Sequence, residues 1–314
     1  MKILIGHTGF VGSNLYKQGG FDAGFNSKNI EDAYGTKPNL CLYSGIRPEK
    51  FRADRFPEDD LLHVQEALEH IKRIQPQKLV LISTVDVIPQ GQTQDIYEDT
   101  SYQTEKLTPY GKNRLFLEQE VRALYPETLI IRLPALFGAG LKKNFISDLI
   151  TRIPAMLKRA KMEELSAKEA ALLQYYSEDE NGFFRLKPDI SEEEARLLRN
   201  MFENLGFSAV HFTDSRSNFA FYNLNYLWAH IETLMAHKIK LAHMAAEPIR
   251  ASVIYESIYG KAFINEILDT PFDYSFFKTS HSALLGGGGG YIFSRDVIGG
   301  EINDFVKDAV GGEV

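Results

Sequence analysis

A single cysteine, Cys41, stands among 314 residues, so neither an intrachain disulfide nor a cysteine-rich metal centre can form. It lies in an apolar run, which marks a buried structural thiol and suits a reducing compartment. No metal is expected, because His63 and His70 lack partners at metal-ligand spacing. Apolar stretches are also short: none approaches the ~20 residues that span a bilayer, so no membrane partner is expected. Positive charge is in deficit, with 35 Lys and Arg against 42 Asp and Glu and a net charge of −7. Without a positive field the chain has nothing to steer nucleic acid or an anionic membrane towards it, although an anionic small molecule needs only a local basic pocket. Met1 leads straight into an apolar strand, so no cleavable leader is expected and a cytoplasmic location is. The remaining composition, 44% hydrophobic and 25% charged, is that of an ordinary globular protein. There is no internal repeat.

The strongest feature opens the chain. Residues 3–5 form an apolar run of strand length, followed by Gly6, Gly9 and Gly12 and then by residues able to start a helix. A strand, a tight glycine turn and a helix N-terminus together make an anion site, because backbone amides can approach a pyrophosphate and the helix dipole adds roughly half a positive charge. The spacing is G-x-x-G-x-x-G rather than G-x-G-x-x-G. The backbone through Gly6, Thr8, Gly9, Phe10, Val11 and Gly12 is the candidate dinucleotide cradle, set against a purely structural turn. A second strand over 21–26 ends in Asn26, Ser27 and Lys28. No carboxylate there repels a 2′-phosphate and a lysine attracts one, which tilts the cofactor from NAD towards NADP; an ordinary polar loop is the alternative. A third strand over 38–45 opens into Ser44 and Gly45, small enough for a cofactor to lie against the backbone.

A charged loop through Glu58, Asp59 and Asp60 yields to an amphipathic helix over 61–74. Residues 78–84 are nearly continuously apolar, the mark of a strand buried on both faces, and end in Ser83 and Thr84. Thr108 suits an N-cap and Pro109 the first helical position. Tyr110 and Arg114 then share one helix face while Lys112 points elsewhere. Asp86 either faces this region or bonds a loop amide. Another buried strand covers 128–134. This alternation predicts an α/β, Rossmann-type doubly wound parallel sheet over 1–153, with a returning strand near 216–224. The composition shifts after Pro154. Residues 156–205 read as charged and helical, with capping boxes at Ser166/Glu169 and Ser191/Glu194 and a turn at 179–182. Helices follow over 225–236, carrying core Trp228, and over 256–263 and 301–309. The run from Gly286 to Gly290 reads as a flexible loop. The expectation for 154–314 is a smaller, mainly helical substrate lobe.

With the glycine turn, Thr84 and the Tyr110 helix in view, the chain resembles the extended short-chain dehydrogenase/reductases. The nearer likeness is to nucleotide-sugar epimerases, dehydratases and dTDP-4-dehydrorhamnose-reductase-like enzymes. It is good over 1–150 and faint over 210–265. The resemblance implies hydride transfer with NADP or NAD on a nucleotide-linked sugar in carbohydrate biosynthesis. Thr84 and Tyr110 would be catalytic, and Arg114 would stand where the family's Tyr-x-x-x-Lys helix has lysine. Leu133 and Pro134 would lie beside the nicotinamide, Asn144 would contact the nucleotide sugar, and Arg216 would approach the substrate diphosphate. Family members often pair through helices that include the one matching the Tyr110 helix, so a homodimer is an expected partner state. A tyrosine of pKa ~10 is a poor base at neutral pH, and lowering it by ~3 units needs roughly 4 kcal/mol. Arginine keeps the lysine's charge but not its shape. That departure sustains a second expectation, a non-catalytic NADP-binding sensor or assembly protein. Epimerisation and keto reduction are not separated by these residues.

Overall fold

A computed structural model describes residues 1–311 and divides the chain into two units. The first comprises Met1–Leu141, Asn218–Ile249 and Phe272–Glu301; the second comprises Lys142–Ser217, Arg250–Pro271 and the residues from Ile302 onward.

In the first unit the apolar runs become strands β1 (Lys2–Ile5), β2 (Ala23–Phe25), β3 (Leu40–Tyr43), β4 (Leu79–Thr84) and β5 (Leu129–Leu133). They form one parallel sheet in the order Leu241–His243, β5, β4, β3, β1, β2. Because successive side chains leave a strand on opposite faces, each run builds two cores at once. Leu4, Leu42, Val80 and Ile131 meet Leu15 of helix α1 (Phe10–Gly19) together with Trp228 and Ile231. Ile3, Cys41, Leu81 and Ile130 meet Val64 and Ile71 of one helix and Leu117 and Val121 of another. The chain passes from β1 to one side for β2 and to the other for β3. That reversal opens a crevice at the carboxyl ends of the strands, where ligands bind in such sheets.

Helix α2 (Lys50–Arg55) is absent from the sequence reading, which has a charged loop there; helix α3 (Pro57–Ile74) starts four residues before the expected 61. Helix α4 (Pro109–Leu124) begins as expected, with the Thr108 side chain accepting from the Gly111 amide. The returning strand forms as Phe221–Asn223, but pairs with β6 (Ala135–Phe137) in a separate two-stranded sheet. The sixth strand of the main sheet is Leu241–His243, too short to carry a periodic signal.

The expected lobe over 154–314 is not one piece, because 218–249 and 272–301 contact the first unit's sheet and helices instead. Nor is 156–205 wholly helical. Met156–Lys158, Phe183–Leu186 and Tyr176–Glu178 form an antiparallel sheet with Phe183–Leu186 in the middle, and 179–182 is the hairpin turn. Leu157, Tyr176, Leu198 and Phe202 form its core, so apolar residues scattered among charges suffice. The Ser191/Glu194 capping box is present; Ser166 instead ends helix Arg159–Ser166, and Glu169 accepts from the Ala171 amide. The helix expected at 256–263 runs Ala251–Tyr259 and stops at left-handed Gly260, and the last one begins earlier, as Arg295–Ala309. The glycine run is a hydrogen-bonded turn in which Gly288 and Tyr291 exchange backbone bonds. Among the described residues no helix is long and apolar enough to cross a membrane.

Asp148, in the second unit, has its carboxyl held above the usual carboxylate range. Burial without a counter-charge pushes Asp148, in helix Phe145–Thr151, up to about 7. The folded unit therefore holds a proton that the unfolded chain has released above ~3.9, so its stability falls as pH rises between those values. Asp148→Asn is expected to flatten that slope and to stabilise the protein at about pH 8 but not near pH 4. Urea unfolding at the two pH values checks it; equal effects at both would show that folding does not raise the Asp148 carboxyl.

Candidate active site

Every cofactor or catalytic residue expected from the sequence falls in the first unit, at or near the carboxyl ends of β1 to β5. β1 ends at Gly6, whose amide donates to the Phe25 carbonyl of β2 at 2.7 Å. The chain turns there with φ +84°, and a Cβ on Gly6 would stand 2.7 Å from the Ser44 carbonyl oxygen. Gly9 is the N-cap of α1 and brings no side chain to its amides. Phe10 and Val11 turn their side chains to the core, so what they offer outward is backbone N–H. Thr8 is exposed.

Gly9 and Gly12 are glycine for different reasons. A Cβ on Gly12 would lie 2.0 Å from the Gly6 carbonyl oxygen, which no side-chain movement relieves, whereas a Cβ on Gly9 would meet that oxygen at 3.3 Å. Gly12→Ala is therefore expected to destabilise the first unit by on the order of 1–3 kcal/mol through overpacking. Gly9→Ala should fold nearly normally but place a methyl group over the amides and weaken NADPH binding. Thermal melts and calorimetry on the two variants separate these effects; equal melting and equal affinity in both would remove the cradle assignment.

Around the cradle, the Ser44 hydroxyl donates to the Ile5 carbonyl at 2.9 Å and Gly45 is exposed. At the end of β2 the loop holds itself: the Asn26 amide donates to Asn29 Oδ1 at 2.8 Å, and the Lys28 amide donates to Asn26 Oδ1 at 2.9 Å. Ser27 and Lys28 are exposed at its tip. Leu133 and Pro134 are buried at the end of β5. The open helix terminus, the glycine cradle and the lysine at the end of β2 form a donor set that fits a dinucleotide phosphate.

At the end of β4, Thr84 Oγ1 donates to Asp86 Oδ2 at 3.1 Å and accepts from the Asp86 amide at 3.2 Å. Lys50 of α2 donates to the other oxygen of Asp86. Helix α4 abuts this turn so closely that a Cβ on Gly111 would stand 2.2 Å from the Asp86 carbonyl oxygen. Tyr110 is 6% exposed, and its amide donates to Asp54 of α2 at 3.0 Å. Burial pushes the Tyr110 phenol above its usual range; Arg114 draws it down and Asp86 pushes it further up.

Tyr110 and Arg114 do share a face, with the guanidinium 4.3 Å from the centre of the Tyr110 ring. Arg114 is not an exposed cation, however. It is 4% exposed and grips Asp60 of α3 with two bonds of 3.0 and 2.9 Å, while a third donor reaches the Arg47 carbonyl at 3.0 Å. Asn113 also donates to Asp60, at 2.9 Å. The planar fork suits a carboxylate, and Asp60, read from sequence only as part of a charged loop, is what engages it.

The two expected substrate residues belong to the second unit. Asn144 is the N-cap of helix Phe145–Thr151, its Oδ1 accepting from the Ser147 amide at 3.2 Å. Arg216 binds Asp214 through Nε and Nη2 at 3.0 and 2.8 Å, Glu266 at 3.1 Å and the Leu268 carbonyl at 2.6 Å. Two carboxylates thus already answer its charge, and the Asp214 carboxyl is held far below the usual range by those bonds. Among the described residues no group of three His, Cys, Asp or Glu side chains is placed to hold a metal ion.

Residues 39–174 match the NAD dependent epimerase/dehydratase family, which bears out the resemblance read from the sequence over that segment. No curated protein matches significantly. Among solved structures, the fold is similar to dTDP-4-dehydrorhamnose reductase from Yersinia enterocolitica, with a TM-score of 0.62 and 15% identity over 98% of this chain and 99% of that one. The same enzyme from Bacillus anthracis, solved with NADP, gives the same values. An NAD dependent NDP-hexosamine 5,6-dehydratase involved in tunicamycin biosynthesis aligns at TM-score 0.61 and 13% identity over 99% of this chain and 97% of that one. At such identities the likeness establishes the α/β, Rossmann-type fold.

Proposed function

We propose that this chain is an NAD(P)-dependent enzyme that moves a hydride to or from a nucleotide-linked sugar, with Tyr110 as its acid/base. What supports the reading is that an open glycine cradle, Thr84 and the start of the helix bearing the buried Tyr110 all lie at or near the carboxyl ends of parallel strands. The family match and the nucleotide-sugar enzymes of the same fold support it.

The backbone from Gly6 to Gly12 and the first turn of α1 would hold the pyrophosphate, with Ser44 and Gly45 alongside. Lys28 favours NADP by its charge. When bound, the dinucleotide supplies or accepts the hydride. Tyr110 gives a proton to the sugar oxygen in reduction and takes one in oxidation. Burial holds the phenol above its usual range, so at neutral pH it carries the proton that reduction of a ketone oxygen requires. Thr84 already directs its hydroxyl hydrogen to Asp86. It therefore offers a sugar hydroxyl an acceptor, and must turn from Asp86 to donate to a ketone. Asn144 and Arg216 remain candidates for the nucleotide sugar, Arg216 only by loosening from Asp214 and Glu266.

The test is hydride transfer across a panel of nucleotide sugars and their 4-keto derivatives, dTDP-4-dehydrorhamnose among them, followed by loss of NADPH absorbance. Mass spectrometry of any co-purifying ligand identifies NAD or NADP. A second reading, a non-catalytic NADP-binding sensor or assembly protein, draws on Arg114 being bound to Asp60. Binding of NADP(H) with no transfer to any member of the panel would favour that reading.

A further inference from the structure

His7 follows Gly6 in the glycine turn, and sequence reasoning assigned it no role. Its imidazole lies against β2 where Gly24 leaves room: a Cβ on Gly24 would stand 2.6 Å from His7 Cγ and 3.0 Å from Cδ2. Tyr16 of α1 packs on the same ring, with centroids 5.5 Å apart. In this seat Nδ1 is buried and has no hydrogen-bond partner. A neutral imidazole carries its proton on one nitrogen only, and an N–H buried without an acceptor is among the rarest arrangements in folded proteins. The proton therefore belongs on Nε2. His7 as a whole is half-buried, which leaves the Nε2 edge as the accessible one, and among the described residues nothing accepts from it.

The seat puts this donor beside the end of β2, two residues before Asn26. The glycine turn and the strand end are bonded directly there, Gly6 amide to Phe25 carbonyl. Lys28, exposed at the tip of the following loop, forms no ion pair among the described residues. In folds of this kind the end of β2 meets the 2′ position of the adenosine ribose. We propose that His7 is a specificity-determining residue whose Nε2–H donates to the 2′-phosphate of NADP, with Lys28 supplying the charge. A phosphate oxygen is a stronger acceptor than the ribose hydroxyl that NAD carries at that position, so the bond favours NADP. Burial of Nδ1 and the packing on Gly24 and Tyr16 fix the donor before the ligand arrives, which lowers the cost of binding.

The proposal rests on the cradle holding a dinucleotide, as the proposed function has it, but its test needs no turnover, so the two can fail separately. The test is equilibrium binding to the full-length protein, with NADPH and NADH as probes. His7→Phe keeps a ring on Gly24 and Tyr16 but has no donor. It is expected to weaken NADPH binding by about tenfold, the order expected for a hydrogen bond to a charged group, and to leave NADH binding unchanged. His7→Gln retains a side-chain N–H and should lose less. If His7→Phe does not fold, the wild-type protein carries the test in a long-range proton–nitrogen NMR spectrum, with His7 assigned by its loss in His7→Gln. The proton should be found on Nε2, and that resonance should shift on adding NADPH but not NADH. A proton on Nδ1, equal NADPH affinity in wild type and His7→Phe, equal losses for NADPH and NADH, or an Nε2 resonance that answers both dinucleotides alike would overturn the proposal. A wild-type protein that binds neither dinucleotide would overturn the proposed function along with it.

Discussion

Tyr110→Phe is expected to lower turnover by on the order of 10²–10⁴-fold while leaving NADPH affinity unchanged, since a positioned general acid contributes about that much. The ring stays, and with it the packing on Arg114 and the bond from the residue 110 amide to Asp54. A loss of rate therefore reports the hydroxyl alone. The pH profile carries a sign of its own. Reduction needs the protonated phenol, and the structure holds that phenol above its usual range. The rate should therefore run level through neutral pH and fall only on the alkaline side, as Tyr110 loses its proton. A rate that instead rises with alkalinity would point to Tyr110 as base in the oxidative direction. Full activity in Tyr110→Phe would remove it from the chemistry.

The largest effect on stability is expected away from that chemistry, at Arg132→Met. Arg132 on β5 and Glu118 on α4 are 4% and 2% exposed and bonded through three contacts of 3.0, 3.2 and 2.6 Å. Glu118 also accepts from Ser83, the residue before Thr84, at 2.5 Å, and Arg132 approaches His243 Nε2 at 3.2 Å. Removing the arginine strands a carboxylate in the interior, which costs about 3–5 kcal/mol. Replacing both charges, Arg132→Met with Glu118→Leu, should recover much of that, because two buried charges gain little over well-packed apolar groups. Urea midpoints of the single and double variants decide it. A single variant as stable as wild type would mean that water reaches Glu118.

Much of this protein was legible in its sequence. The strands of the main sheet, apart from the edge strands Ala23–Phe25 and Leu241–His243, are apolar runs that parallel pairing buries on both faces, and the run dictates the structure. The glycine turn and the start of α4 were equally local: the first needs backbone geometry that only glycine takes without strain, the second a threonine cap followed by proline. Leu241–His243 was not legible, because three residues carry no period and their strand exists only through pairing with β5. The lobe was misread for a similar reason, its strands held by partners up to 29 positions away.

The expected site residues divide along the same line. Sequence by itself determined where Gly6, Gly9, Gly12, Thr84 and Tyr110 stand, since each follows from its own strand end or helix start. Only the tertiary structure decided what the charged groups do. Arg114 met Asp60 from 54 positions away, and Lys50 met Asp86 from 36. A charge acts through space on whatever the fold brings near it, and the order of residues along the chain does not contain that distance.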